Sequence, residues 1–213
     1  MDITYRSVYT VFMETDKSTQ ENSTESTREQ ILELATRLFS SKGYEAVGIQ
    51  EIVNEAGITK PTLYYYFGSK KGLLQNIISQ KSDIFIASLK KASEYHHDFI
   101  KGLTQILKAT IDFAKKEPDF FRLHCILSWS PSTSEERGLY EPVMQNIKSI
   151  FTDFFTQSAN EFGNMKGNEK LYSTLFYTNI LAVATLSAAD ETFTQDSTLY
   201  KIIHSFVYGV ANG

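Results

Sequence analysis

Three short helical patterns, separated by glycines, fill residues 26–71 and constrain the fold of this chain more than any other feature. The first pattern opens at Ser26, and Glu29 follows at the spacing of a capping box. Apolar residues then recur at helical spacing: Ile31, Leu34, Ala35, Leu38 and Phe39. We expect this helix to end at Gly43, which can adopt the left-handed conformation of a helix C-terminus.

The second pattern has one apolar face and ends at Gly57; that face carries Ile49, Ile52, Val53 and Ala56. The third pattern follows Thr59, a suitable N-cap, and has Pro61 in its first turn, where a missing N–H costs nothing. Leu63 and Phe67 are four residues apart and mark the buried side of this helix. Two short helices joined by a tight turn that begins with glycine predict a helix-turn-helix.

In a helix-turn-helix the second helix enters the major groove of DNA, and the first helix crosses the backbone. Ser69 is expected to cap the next helix and to offer its hydroxyl and the first N–H groups to a phosphate. Lys70 adds the positive charge that phosphate contacts need. The predicted DNA-binding residues in this segment are Thr59, Lys60, Pro61, Thr62, Tyr64, Tyr65, Tyr66, Ser69 and Lys70.

Three consecutive tyrosines, Tyr64, Tyr65 and Tyr66, cannot all face one core on a helix, so at least one ring must be exposed. An exposed ring beside Lys60 and Lys70 suits thymine methyl groups and phosphate oxygens. The alternative is inward packing, which fits Tyr64 best. We expect Tyr65 and Tyr66 to contact DNA.

These residues resemble the DNA-binding domain of the TetR family of transcriptional regulators, from Arg28 to Leu74. The positions that carry the resemblance are Phe39, Gly43, Tyr44, Ile52, Ala56, Gly57, Lys60, Leu63, Tyr64, Phe67, Lys70 and Leu74. The resemblance implies a homodimer of all-helical subunits. It also implies that each subunit has an N-terminal DNA head and a larger domain that binds a small molecule and releases the operator.

At Gly48 the chain departs from the family, which usually has Thr or Ser there to cap the second helix and often to contact a phosphate. Glycine still serves as an N-cap, at a cost of about a few tenths of a kcal/mol. Because glycine has no side chain for the phosphate contact, we expect Gln50 or backbone N–H groups to replace it.

Composition favours an all-α cytoplasmic protein that does not span a membrane. Cys125 is the single cysteine, which excludes an internal disulfide and fits a reducing compartment. The net charge of −4 argues at first against a DNA partner. Residues 26–72, however, hold six basic and five acidic side chains, so the predicted head is the least acidic part. We expect a modest electrostatic contribution to DNA binding.

The expected architecture is all-α and has three parts. Residues 1–25 form an N-terminal extension that is β-prone at first and polar from Glu14 on. It is a poorly ordered lead-in, or an upstream start with Met13 as the true one, or an arm that contacts the partner subunit or DNA. Residues 26–72 form the three-helix DNA-binding domain, and residues 73–213 form a helical bundle for ligand binding and dimerisation. A long helix from about Lys70 to Ser93 links the two.

Further helices are predicted in the bundle. The segment from Pro118 to Trp129 is apolar nearly all round and is expected to be buried. The next helix is expected to follow a short connector over residues 132–134 and to extend to about Gln157. The alternative, suggested by Pro142, is a start at Glu141 after a separate turn over residues 134–140. The last two helices, about 169–189 and 197–210, pair with their copies in the dimer that the resemblance implies.

Aromatic residues of the bundle could line a ligand pocket or form plain core. The polar groups inside apolar helices are the suspected anchors of a small hydrophobic or aromatic effector. The predicted ligand-binding residues are His124, Trp129, Phe151, Phe155, Phe176, Tyr177 and Asn179.

No catalytic, metal or cofactor site is predicted. The adjacent His96 and His97 point apart on a helix and lack a suitably spaced partner. No nucleophile elbow, phosphate loop or zincin motif occurs. The sequence favours a ligand-responsive, homodimeric DNA-binding repressor. The alternatives are a helical interaction or small-molecule-binding module without sequence-specific DNA binding, and an enzyme tethered by its head.

Overall fold

The computed structural model describes residues 25–162 and 165–209, and all regular secondary structure in these residues is helical. The all-α prediction is therefore confirmed. The helices are α1 (25–42), α2 (Ile49–Ala56), α3 (Lys60–Phe67), α4 (Lys70–Ala92), α5 (Phe99–Lys116), α6 (Pro118–Trp129), α7 (Glu135–Ala159), α8 (Glu169–Leu186), a 3₁₀ helix (Glu191–Thr194) and α9 (Asp196–Tyr208). The predicted extension lies outside the described residues, apart from residue 25.

Contacts between backbones divide the chain into two compact units, Met1–Asn76 and Ile77–Gly213. α4 begins in the first unit and continues into the second as one unbroken helix. In the first unit, Arg28 of α1 donates a hydrogen bond to the side-chain oxygen of Asn76 at 2.7 Å. This bond ties α1 to the start of α4.

The start of α1 differs from the sequence prediction. Residue 25 is already helical, so Ser26 lies inside the helix and does not cap it. The end of α1 agrees with the prediction, because Gly43 adopts a φ of 84° and its N–H donates to the carbonyl of Phe39 at 3.0 Å.

The helix-turn-helix forms as predicted. Gly57 ends α2 in the left-handed conformation, with a φ of 65°. Thr59 caps α3 by accepting a hydrogen bond from the backbone N–H of Thr62. Leu63 is 0% exposed and Phe67 is 6% exposed, so the predicted buried pair does anchor α3.

The second unit is a helical bundle in which α8 packs against both α5 and α7, while α6 packs against α5 and α7. The helix predicted after the connector begins at Glu135, and the alternative start at Glu141 is wrong, because α7 runs through Pro142 without interruption. Tyr140 and Met144 on either side of the proline are buried. Their packing offsets the backbone hydrogen bond that proline cannot donate.

The prediction that α6 is buried all round is also wrong. Trp129 is 72% exposed and Ile126 is 36% exposed. Both lie near the end of the helix, and the apolar composition of the helix did not show that one side there is exposed to solvent. The ends of α4, α8 and α9 fall within three residues of the predicted bounds. None of the helices in the described residues is long and apolar enough to cross a membrane.

The junction between α3 and α4 tolerates no side chain at Gly72. A Cβ built there would lie 2.0 Å from the carbonyl oxygen of Phe67. We therefore predict that Gly72→Ala lowers the free energy of unfolding by about 1–3 kcal/mol, the usual cost of overpacking. Urea unfolding followed by circular dichroism measures this change.

Gly138→Ala is the matched control, since Gly138 lies within α7 and nothing lies within 4 Å of the added Cβ. It should raise the free energy of unfolding by about 0.5–1 kcal/mol, because alanine is the better helix former. Equal effects of the two substitutions would contradict the close approach at Gly72.

Candidate DNA-binding surface and ligand cavity

The outer face of α3 presents tyrosines beside the buried Leu63 and Phe67. Tyr65 is 80% exposed and Tyr64 is 46% exposed, so Tyr64 does not take the inward alternative. Tyr66 is half-buried, and its ring contacts Tyr65 at a centroid distance of 5.3 Å in an edge-on arrangement. The most exposed ring of α3 is therefore steadied by its neighbour.

The first turn of α3 adds polar groups to this face. The hydroxyls of Thr59 and Thr62 lie 2.8 Å apart. Lys60 and Pro61 are exposed, and within the described residues Lys60 makes no ion pair. Lys60 therefore adds a positive charge to the start of the helix that no carboxylate in the described part of the chain pairs with.

The start of α4 is arranged as the sequence predicted. The Ser69 hydroxyl caps the helix by accepting a hydrogen bond from the backbone N–H of Gly72 at 2.9 Å. The Lys70 ammonium lies 4.1 Å from the centre of the Tyr44 ring and 3.5 Å from the carbonyl oxygen of Glu45. These contacts hold the cation in place beside the helix N-terminus. Tyr44 supports Lys70, a role that the sequence did not reveal.

The start of α2 lacks a side-chain cap, because Gly48 supplies none. Gln50 is exposed, and its amide donates to the side-chain oxygen of Asn54 at 2.7 Å. Elsewhere in the head, Arg37 pairs with Glu55 at 2.8 Å, and Lys42 pairs with Glu51. These pairs neutralise two of the positive charges, which agrees with the modest electrostatic contribution expected from composition.

The second unit contains a cavity of about 480 Å³ whose wall comes from α6, α7, α8 and the connector after α6. The apolar part of the wall includes Trp129, Met144, Phe151, Tyr177 and Leu181. Serine and threonine side chains form much of the rest of the cavity wall. Three of the predicted ligand-binding residues, Trp129, Phe151 and Tyr177, therefore line one cavity.

Three cations also line this cavity: Arg137, Lys148 and Lys170. No aspartate or glutamate is among the residues that line it. Arg137 is partly engaged, because its Nε lies 3.1 Å from Glu141 and its guanidinium donates to the carbonyl of Ser128. No sequence pattern indicated these cations, because charged side chains on helices are usually solvated.

The other four predicted residues do not line this cavity. Phe155 and Asn179 line a separate, largely apolar cavity of about 380 Å³, together with Phe99, Phe162, Met165, Tyr172, Leu175, Ser205, Phe206 and Val207. The two cavities share no lining residue. Phe176 is 1% exposed and lines neither cavity, so for Phe176 the plain-core alternative fits.

His124 is fully buried and contacts two tyrosines. Its Nδ1 hydrogen-bonds with the Tyr140 hydroxyl, and its Nε2 lies 2.8 Å from the Tyr177 hydroxyl. Burial lowers the pKa of His124 from 6.5 to about 3, so the imidazole is neutral at physiological pH. His124 thus lies just behind the cavity wall that Tyr177 forms.

His97 interacts with a carboxylate. Its Nδ1 lies 2.5 Å from an oxygen of Glu161, and this hydrogen bond lowers the pKa of the Glu161 carboxyl. In the described part of the chain, no group of three or more potential ligands could hold a metal ion.

Comparison with known proteins identifies the class to which this helix-turn-helix belongs. Residues 31–77 match the family model described as bacterial regulatory proteins of the tetR family. The chain is 31% identical over 146 residues to a helix-turn-helix transcriptional regulator of Staphylococcus aureus USA300, covering 68% of this chain and 76% of that protein. It is also 31% identical over 96 residues to the transcriptional activator FasR of Mycolicibacterium smegmatis, covering 45% of this chain and 44% of FasR.

Among solved structures, FadR of Bacillus subtilis in complex with stearoyl-CoA superimposes with a TM-score of 0.67. The superposition covers 85% of this chain and 98% of FadR, at 17% sequence identity. The fold and the site thus define a DNA-binding, helix-turn-helix transcriptional regulator. The chain belongs to the TetR family of bacterial regulatory proteins.

The buried His124 predicts a pH dependence of stability. Its folded-state pKa of about 3 lies below its ordinary value of 6.5, so between these values the unfolded chain binds a proton that the folded chain does not. Stability from this group is therefore lost as the pH falls, by about 1.4 kcal/mol per pH unit. His124→Gln removes the titrating group but keeps a donor and an acceptor.

We expect wild type to lose about 3 kcal/mol more than His124→Gln between about pH 7 and about pH 4. Urea unfolding of both proteins at each pH measures the difference. Other titrating groups are common to both chains and cancel in the comparison. Equal losses in the free energy of unfolding of the two proteins would show that His124 is not buried in its neutral form.

Proposed function

We propose that this regulator is a homodimeric repressor that binds a palindromic operator and is released from it by a small molecule bound in the second unit. The observation that carries the DNA-binding part is the contrast on α3 between Tyr65, 80% exposed, and Leu63, 0% exposed. An exposed aromatic ring is suited to the major groove of DNA when buried residues on the other side of its helix hold that helix in place.

We assign the DNA contacts to the predicted set. Tyr65 and Tyr66 meet base edges and thymine methyl groups, and the first turn of α3 supports them through Thr59, Lys60, Pro61 and Thr62. Ser69 and Lys70 contact phosphate, where Tyr44 already positions the ammonium. In a dimer the two heads would read half-sites about 34–36 Å apart, or a little farther.

The proposed dimer interface lies on α8 and α9, as in the family resemblance. α8 exposes three leucines at helical spacing: Leu171 at 54%, Leu175 at 49% and Leu186 at 49%. On α9, Tyr200 is 62% exposed and Tyr208 is 49% exposed. A second copy of the chain would remove this apolar surface from water.

We place the effector in the cavity bordered by α6, α7 and α8. Its apolar wall and three cations suit a molecule with an apolar body and an anionic group. The sequence predicted a hydrophobic or aromatic effector, and the cations add an anionic group to that description. The likeness to FadR, which was solved with stearoyl-CoA, makes a long-chain acyl-CoA the first candidate. An effector that prefers the DNA-free conformation would shift the population off the operator.

Operator binding is tested with Tyr65→Ala combined with Lys70→Ala. The operator is first obtained by in vitro selection, which should return a palindrome. Removing one base contact and one phosphate contact should cost about 2–4 kcal/mol, a loss of about 30- to 700-fold in operator affinity. Fluorescence anisotropy measures the affinity, and sedimentation should show an intact dimer.

The control is Ile84→Ala combined with Lys90→Ala, which removes one exposed apolar side chain and one lysine from the second unit. It should bind the operator like wild type. Unchanged affinity in the head variant would contradict the DNA assignment. A selection that returns no palindrome would instead favour the interaction-module alternative, and a monomeric wild type would exclude the dimer.

Effector binding is tested with stearoyl-CoA and the fluorescence of Trp129, the single tryptophan of the chain, which lines the cavity. We expect stearoyl-CoA to change the Trp129 emission and to release the operator. Lys148→Gln with Lys170→Gln should weaken binding by up to about 30-fold, because two exposed ion pairs together contribute about 2 kcal/mol at most.

The matched control is Lys90→Gln with Lys91→Gln, two exposed lysines of α4 that do not line the cavity. This control should bind stearoyl-CoA as wild type does. Saturating stearoyl-CoA that changes neither the Trp129 emission nor operator binding would contradict this effector. Release at a promoter should raise transcription of the regulated gene, whereas an activator would lower it.

A further inference from the structure

The cavity bordered by α6, α7 and α8 has two distinguishable ends, because α7 and α8 run antiparallel along it. At one end the hydroxyls of Thr152 and Ser173 lie 3.4 Å apart. Toward the other end, His124 hydrogen-bonds with Tyr140 of α7 and with Tyr177 of α8. Residue numbers along α7 therefore fall in the direction in which they rise along α8.

The wall that α8 contributes changes from charged to apolar along its length. Lys170 borders one end of the cavity, and Ser173 and Thr174 follow within one turn. Leu181 borders the other end, where α7 contributes Met144. A helix rises about 1.5 Å per residue, so the wall from Lys170 to Leu181 is about 16 Å long.

The three cations of the cavity are not equivalent. The guanidinium of Arg137 donates to the carbonyl of Ser128, and its Nε lies 3.1 Å from Glu141. Among the described residues, Lys148 and Lys170 make no ion pair. An anion can therefore meet Lys148 and Lys170 without displacing a carboxylate, whereas at Arg137 it must compete with one.

The two unpaired cations flank the hydroxyl pair of Thr152 and Ser173. Lys148 comes four residues before Thr152 on α7, and Lys170 comes three residues before Ser173 on α8, so each is within about one turn of the pair. Trp129 borders the opposite end, because the residue before it is bonded to the first turn of α7. The cavity thus has a cationic end and a tryptophan end.

We propose that this cavity takes a linear chain with an anionic group at one end, bound with the anion at Lys148 and Lys170 and the apolar end toward Trp129. The proposal rests on the proposed function for the use of this cavity, and it adds the shape and the direction of the ligand. An extended alkyl chain advances about 1.25 Å per carbon, so a wall of about 16 Å matches about twelve or thirteen carbons.

The opposite direction is unfavourable for two reasons. The anion would lie beside Arg137, whose charge Glu141 already neutralises. The hydrocarbon end would cover the ammonium groups of Lys148 and Lys170 and remove them from water without giving them a partner, which costs free energy. The direction therefore follows from where the unpaired cations lie.

Trp129 is the single tryptophan of the chain and gives a direct test in the full-length protein without DNA. Bromine quenches tryptophan fluorescence only at close range. The quencher lies at the apolar end of ω-bromododecanoate and beside the carboxylate of α-bromododecanoate. We expect the ω isomer to quench Trp129 strongly and the α isomer weakly, while isothermal titration calorimetry shows that both bind.

Two controls test the charge of the bound group. Dodecyltrimethylammonium has the same chain with a cationic end and should not bind. Lys170→Gln should weaken dodecanoate binding by up to about fivefold, the most that one exposed ion pair contributes. Lys166→Gln is the matched control, because Lys166 is an exposed lysine four residues earlier that does not line the cavity. It should bind dodecanoate as wild type does.

Stronger quenching by the ω isomer, with weaker binding in Lys170→Gln alone, would support the proposal. Stronger quenching by the α isomer, or equal quenching by the two bound isomers, would overturn the direction. Equal binding by Lys170→Gln and Lys166→Gln would overturn the placement of the anion.

Dodecanoate and dodecanoyl-CoA are the two sources of such a chain, and the tighter binder identifies the class of effector. Failure of both to bind would overturn the proposal. No operator enters these measurements. A chain that binds in the expected direction but does not release the operator would therefore contradict the proposed function and leave the direction of binding intact.

Discussion

The burial of Leu63 and Phe67 is the constraint on which the candidate DNA-binding surface depends. α3 has only eight residues, too few to be stable as an isolated helix, so tertiary packing must hold it in place. The two side chains fix both its position and its rotation about its own axis. Rotation is what leaves Tyr64 and Tyr65 outward, because successive side chains on a helix point about 100° apart and Leu63 and Phe67 face the core.

The second unit differs from the first because hydroxyl and imidazole groups lie inside its apolar bundle. His124 is tolerated there because it stays neutral and both ring nitrogens have partners. Arg137, Lys148 and Lys170 carry charge at the rim of the same region, where water still reaches them. The cavity therefore combines an apolar wall, neutral hydrogen-bonding groups and cations in one place.

The sequence predicted the head well because its determinants are local. Gly43, Gly57, Thr59 and Pro61 act within one or two turns of where they stand, and the structure has the ends that they predict. The bundle was harder to predict, because its features arise from packing between distant segments. Pro142 is a local signal for a break, and the burial of neighbouring side chains overrides it.

The candidate cavity was only partly predictable for the same reason. Trp129, Phe151 and Tyr177 were found from their chemistry, but Phe155 and Asn179 line a different cavity. Periodicity shows that a residue is on an apolar face but does not show which space it borders.

The close approach at Gly72 has a mechanical consequence. Only Gly68 and Ser69 separate α3 from α4, and the Phe67 carbonyl leaves no room for a Cβ on the first turn of α4. A connection this short and this closely packed leaves α3 and α4 almost no freedom to move relative to each other. Any twist of the first turn of α4 must therefore be shared by α3.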